Sequence, residues 1–153
     1  MKILVCIDGS EQSRKVMEEA VQIAAGCQIN DFAVINVYEP MPYPTTPSWG
    51  GISYTRTDED NAYMLKLQEK EKEEIQQYLQ QAVEFFEEKG LKARALLKEG
   101  HPAHTIVSTA GEEGTDMIVI GSRGLGGLKK AFLGSVSSAV IQEVDNCTVA
   151  VVK

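Results

Sequence analysis

The stretch that decides how this chain folds runs from Asp116 to Ser138, DMIVIGSRGLGGLKKAFLGSVSS. It opens on Met117-Ile118-Val119-Ile120, a short continuous apolar run of the kind found in strands covered on both faces, as in a parallel sheet. Glycines follow at 121, 124, 126 and 127, and Gly134-Ser135-Val136-Ser137 reads as the start of a helix. Glycine admits positive φ and lets a ligand approach main-chain N–H groups. A helix start carries unpaired N–H groups and partial positive charge, so it suits an anion. Strand, glycines and helix start together describe a phosphate cradle. A long flexible strand-to-helix connection is the plainer alternative. Neither the Walker A pattern nor the Rossmann G-x-G-x-x-G is met, the latter because Lys129 stands where its third glycine belongs. What remains is Gly121-x2-Gly124-x9-Gly134-Ser135.

Outward from this stretch, the chain repeats one unit. Lys2–Ile7 (KILVCI), Asp31–Tyr38 (DFAVINVY), Lys92–Leu97 and Thr148–Val152 (TVAVV) are further strands, the third weaker and nearer an edge. Between them lie helical patterns over about 11–25, 61–89, 103–113 and 135–144. Ser10-Glu11-Gln12-Ser13 offers an N-cap for the first helix, and Gly26 a C-cap. The alternation β-α-β-α-β-α-β-α-β predicts a five-stranded parallel sheet with helices on both faces, an α/β three-layer sandwich with right-handed crossovers. Ligands of such sheets bind beyond the carboxyl ends of the strands, where strand order reverses. If the first and fourth strands are neighbours, Asp8 lies beside the cradle. It can then hold a metal bridging phosphates or accept from a ribose hydroxyl, or it simply caps its own turn.

One segment breaks the alternation. From Glu39 to about Asp60 it carries Pro40, Pro42, Pro44 and Pro47, the only tryptophan (Trp49) and Gly50-Gly51. A lid, a partner contact and a loop without direct role are all open readings. The run Gln68–Glu74 reads as a solvated helix face. His101 and His104 read as polar residues at a helix entry, since no third metal ligand accompanies them.

The 153 residues fit a single domain spanning 1–153. A net charge of −7 argues against general affinity for nucleic acid or anionic membranes. Cys6, Cys27 and Cys147 are odd in number and form no C-x-x-C, so neither a disulfide framework nor a zinc site is suggested. With no long apolar span, the chain is expected to be cytoplasmic.

Three pieces give the chain a resemblance to a known family: Ile3–Ser10 (ILVCIDGS), Glu99-Gly100-His101-Pro102, and Gly121-Ser122-Arg123-Gly124 followed by Gly134-Ser135-Val136-Ser137. In these it resembles the universal stress proteins along nearly its whole length, and the G-x2-G-x9-G-[ST] spacing is the mark of that family's ATP-binding branch. The resemblance implies a Rossmann-like sheet of order 3-2-1-4-5, related to the adenine nucleotide alpha hydrolases, with ATP at the switch point. Carried over, it places Asp8 near ribose, phosphates or metal, and Val37 at the adenine through its backbone. Gly121, Arg123 and Gly124 would wrap ribose and phosphates, and Gly134, Ser135, Val136 and Ser137 would hold the phosphates. Mg2+ or Mn2+ would accompany the nucleotide. It also implies a homodimer along Thr148–Val152, with Thr148 a departure from the proline many relatives carry there, and a role as a nucleotide-dependent stress-response regulator acting on a protein partner. Slow ATP hydrolysis by Asp8 with a divalent metal is the alternative; no catalytic set is evident.

Overall fold

The computed structural model describes residues 1–27, 29, 31–40, 57–124 and 133–153. Pro42, Pro44, Pro47, Trp49, Gly50 and Gly51, and also Gly126, Gly127, Lys129 and Lys130, lie outside the described residues. The elements are β1 (Lys2–Cys6), α1 (Glu11–Cys27), β2 (Asp31–Tyr38), α2 (Asp58–Glu87), β3 (Lys92–Glu99), α3 (Pro102–Glu113), β4 (Met117–Gly121), α4 (Ser135–Glu143) and β5 (Thr148–Val152). Every pairing in the sheet is parallel, and the order is β3-β2-β1-β4-β5.

Strand alternation divides the core into two layers. Ile3, Val5 and Ile7 join Phe32, Val34 and Val119 on the face covered by α1 and α2. Leu4 and Cys6 join Ala33, Ile35, Ile118 and Ile120 on the face covered by α3 and α4. Right-handed crossovers account for this split. The chain moves from β1 through β2 to β3 in one direction and then back past β1 to β4 and β5, so the later helices fall on the opposite face. Phe32 and Phe86 stack across the first layer, their ring centroids 4.9 Å apart. Among the described residues, no helix is long and apolar enough to cross a membrane.

Some local expectations shift. Gly26 does not end α1; it lies within the helix, which runs on to Cys27. The irregular segment stops short of Asp60, because Thr57 and Asp60 form a capping box that starts α2 at Asp58. Cap chemistry outweighs the absence of apolar periodicity in this first turn.

The sheet's edges differ. Edge strand β3 carries Lys92, Arg94, Lys98 and Glu99. Arg94 pairs with Glu113 of α3 at 2.5 and 3.1 Å, and Lys72 of α2 reaches Glu99 at 2.8 Å. The β5 edge, TVAVV, carries no charge at all.

Gly111 sits exposed within α3, and a Cβ there would meet nothing within 4 Å. Gly111→Ala should therefore stabilise the fold by about 0.5–1 kcal/mol, since alanine costs less backbone entropy in a helix. Thermal unfolding should show a rise of about 1–4 °C for a chain of this size; a fall would mean that a neighbour needs the space.

Candidate functional site

The strand-order reversal between β1 and β4 opens the sheet at its carboxyl edge. β1 is carried one residue further by Ile7, whose N–H donates to the Ile35 carbonyl at 3.0 Å. The Ile7 carbonyl accepts from Nδ2 of the buried Asn36 at 3.0 Å. Asp8 and Gly9 (φ +79°) then turn the chain into α1. The Asp8 Oδ1 accepts from the Ser10 N–H and from the Ser13 hydroxyl, each at 3.0 Å, and the Asp8 N–H donates to Ser13 Oγ at 3.1 Å. The turn is thus fastened by Asp8 and Ser13. Ser10 does not cap α1 through its side chain, since its buried hydroxyl lacks a hydrogen-bond partner among the described residues.

On the other side of the opening, β4 ends at Gly121. The carbonyl of Ser122 accepts the Gly134 N–H at 2.7 Å, which brings the N-cap of α4 against the end of β4. Among the described residues no side chain caps α4, a nine-residue helix whose leading N–H groups lie at its entry.

Between these two edges lies a cavity of about 680 Å³. Asp8 lines it from the turn after β1, and Val37 from β2. Gly121, Arg123 and Gly124 line it from the end of β4, and Gly134, Ser135, Val136 and Ser137 from the start of α4. The residues that the resemblance assigns to the ligand therefore border one space. Its α3/α4 side is apolar, built from Cys6, Ile35, Ile106 and Ile120; its α1 side is polar, with Ser10, Gln12 and Ser13. Burial pushes the Cys6 thiol far up, so it is a neutral wall. Among the described lining residues, Asp8 and Arg123 carry the charges.

The cradle glycines are there for space. Neither Gly121, Gly124 nor Gly134 has a positive φ. A Cβ at Gly121 would stand 3.0 Å from both the Arg123 carbonyl and Gln12 Cγ; at Gly124 it would run into the Asp8 carboxylate. Ser137 is bound inward. Its hydroxyl donates to the Gly134 carbonyl at 3.0 Å and lies 3.4 Å from that of Ser122, so what it can offer an anion is its main-chain N–H.

Val37 has a readable geometry. In a parallel strand alternate residues turn their main-chain groups to the same neighbour. Ile35 faces β1, whose bonding ends at Ile7. Val37 therefore turns its N–H and C=O toward the side where β1 has stopped, into the opening.

The sequence reading missed Asn36 and Gln12. Asn36 had a signal, a polar residue inside the apolar run DFAVINVY; Gln12 had none. Asn36→Ala should cost about 1–3 kcal/mol in chemical denaturation, because the Ile7 carbonyl loses a buried partner. An unchanged midpoint would show that this bond does not hold the end of β1.

The family model described as the universal stress protein family matches residues 1–153. Universal stress protein YxiE of Bacillus subtilis is 37% identical over 152 residues, covering 99% of this chain and 98% of that protein. Among solved structures, universal stress protein UspA from Lactobacillus plantarum superposes with a TM-score of 0.79 at 24% identity, covering 100% of this chain and 97% of that one. The universal stress protein from Archaeoglobus fulgidus, solved in complex with dAMP, gives a TM-score of 0.64 at 24% identity, over 100% of this chain and 98% of its own; both likenesses are of fold.

Proposed function

This chain belongs to the universal stress protein family, and from that premise we propose that its cleft binds ATP and that the protein acts as a nucleotide-dependent regulator. The observation that carries this reading is the meeting of the spaced glycines, the uncapped start of α4 and Asp8 around one cavity. The fit is chemical as well as spatial. The apolar α3/α4 side suits a base, and the main-chain groups of Val37 suit its hydrogen-bonding edge. Positions 121 and 124 leave no space for a side chain, so backbone can lie against ribose and phosphate. The α4 N–H groups and Arg123 suit the phosphates.

Mg2+ or Mn2+, when bound, would neutralise phosphate charge. Among the described residues no three His, Cys, Asp or Glu side chains are grouped so as to hold a metal ion. Asp8 would be the protein's contribution, with phosphate oxygens and water completing the shell. Asp8 then serves twice, fastening its turn through Oδ1 and facing the ligand.

Isothermal titration with Mg-ATP should give saturable binding at one nucleotide per chain. At 100 times Kd the nucleotide should add about 2.7 kcal/mol of stability. The absence of both titration heat and a thermal shift would end the proposal.

We propose further that two chains pair along β5. The Thr148 N–H donates to Asp116, and the Val152 carbonyl accepts from Ser122, so both face β4. By alternation Val149 and Val151 turn their groups to the open edge. A two-fold axis at Ala150 would pair Val149 with Val151 of a second copy, antiparallel, and extend the sheet. Charged β3 is the less suitable edge. Val151→Pro removes one outward donor and spares the β4 ladder. Light scattering should then show a monomer where the unaltered chain is a dimer, and a persisting dimer would place the contact elsewhere.

A further inference from the structure

Resting on both readings just given, we infer that Gln12 is a positioning residue that couples the cleft to the β5 edge, so that nucleotide in the cleft tightens pairing of two chains. The carbonyl of Val152, the last residue of β5, is held twice: by the Ser122 N–H at 2.6 Å and by Gln12 Nε2 at 3.0 Å. Both donors belong to the cleft's frame. Gln12 lines the cavity from the first turn of α1, and its Cγ lies so close to Gly121 that a Cβ there would stand 3.0 Å away. Ser122 follows Gly121, and its carbonyl takes the N–H of Gly134 at 2.7 Å, the N-cap of α4.

One carbonyl therefore joins the start of α1, the end of β4 and the end of the edge strand, with the entry to α4 one bond further on. A nucleotide that bonds the α4 entry and lies against Gly121 restrains Gly134, Ser122 and Gln12 together. Those groups in turn hold Val152, the immediate neighbour of the outward-facing Val151. An edge ordered in advance loses less entropy when it pairs, which gives positive coupling without a change of fold. The coupling is reciprocal: pairing must tighten the nucleotides in the two clefts by factors whose product equals the gain in pairing.

Sedimentation equilibrium with and without Mg-ATP tests this, with saturation of the cleft verified by calorimetry on the same samples. The dimer Kd of the unaltered chain should fall about five-fold or more with ATP, the lower end of ordinary coupling. With one nucleotide per chain, the ATP Kd measured above and below the dimer Kd should change by the square root of that factor, about two-fold or more, a readout that needs no variant. Gln12→Met keeps the side-chain length and the contact on Gly121 but removes the donor. Compared at ATP saturation, whatever its own ATP Kd, it should show the ratio brought close to one. A purely structural Gln12 would lower stability in that variant and leave the ratio intact, which overturns the inference. So does an unaltered chain that is saturated with ATP and dimerises equally well with or without it. A chain that binds no ATP, or stays monomeric at every concentration, overturns the readings underneath and this one with them.

Discussion

Gly134→Val is expected to weaken ATP binding by about 100-fold or more, equivalent to about 2.7 kcal/mol, while the chain still folds. The backbone at Gly134 (φ −64°, ψ 159°) is one that any residue adopts, so valine meets no conformational penalty there. The obstacle is crowding. A Cβ at 134 would stand 3.3 Å from the Ser122 carbonyl and 3.5 Å from Arg123 Cα. Retreat is blocked because the Gly134 N–H is bonded to that same carbonyl at 2.7 Å. The two methyls must then point from the α4 entry toward the space a phosphate would take, and the displaced helix start would aim its N–H groups poorly. Overpacking of this kind costs stability too, about 1–3 kcal/mol. Titration calorimetry on the variant, with circular dichroism to verify the fold, decides the matter. ATP affinity equal to that of the unaltered chain would remove α4 from the site.

Gly124→Ala should cost about 1–3 kcal/mol of stability and at least about ten-fold in ATP affinity, by collision with a single side chain. The added methyl would overlap the Asp8 carboxylate. That carboxylate cannot swing away cheaply, because Ser10 and Ser13 both donate to its Oδ1. Asp8→Ala alone should cost about 1–3 kcal/mol as well, since it leaves the Ser13 hydroxyl without that acceptor in a residue only 2% exposed. Together the two changes should be strongly non-additive. Once Asp8 is gone the methyl at 124 has room, and its own cost should shrink to a few tenths of a kcal/mol. A double-mutant cycle by urea denaturation measures this directly, with a coupling of about 1–2 kcal/mol expected for residues in contact. Additive costs would mean that Gly124 and Asp8 do not approach each other as described, and the cradle would lose the wall it shares with the first strand.

Legibility in the sequence followed the range of the interactions. The apolar runs at β1, β2, β4 and β5 announced strands covered on both faces, because a strand buried on both sides cannot alternate. The capping box at Thr57 and Asp60 was equally local, yet it was overlooked because the proline-rich stretch before it suggested irregular chain further along. Gly26 misled for the opposite reason: a residue that often ends helices was carried inside one, where Ala20 and Ala24 of the same helix are buried in the core. Asn36 could have been suspected from its polarity alone. Its partner could not, since the Ile7 carbonyl is 29 residues away in the chain.

By itself the sequence determined the number and kind of strands and helices, the spacing of the glycines ahead of a helix start, and the family resemblance carried by those spacings, all set by neighbouring residues or by fixed periods. The resemblance implied the order 3-2-1-4-5, and the sheet has it, with β1 beside β4; only the tertiary structure decided that Asp8 closes against Gly124 and that Val152 is held by Gln12 and Ser122. These are contacts between residues far apart in the chain, chosen by which faces bury together and by the handedness of the crossovers, and no local pattern of side chains encodes them.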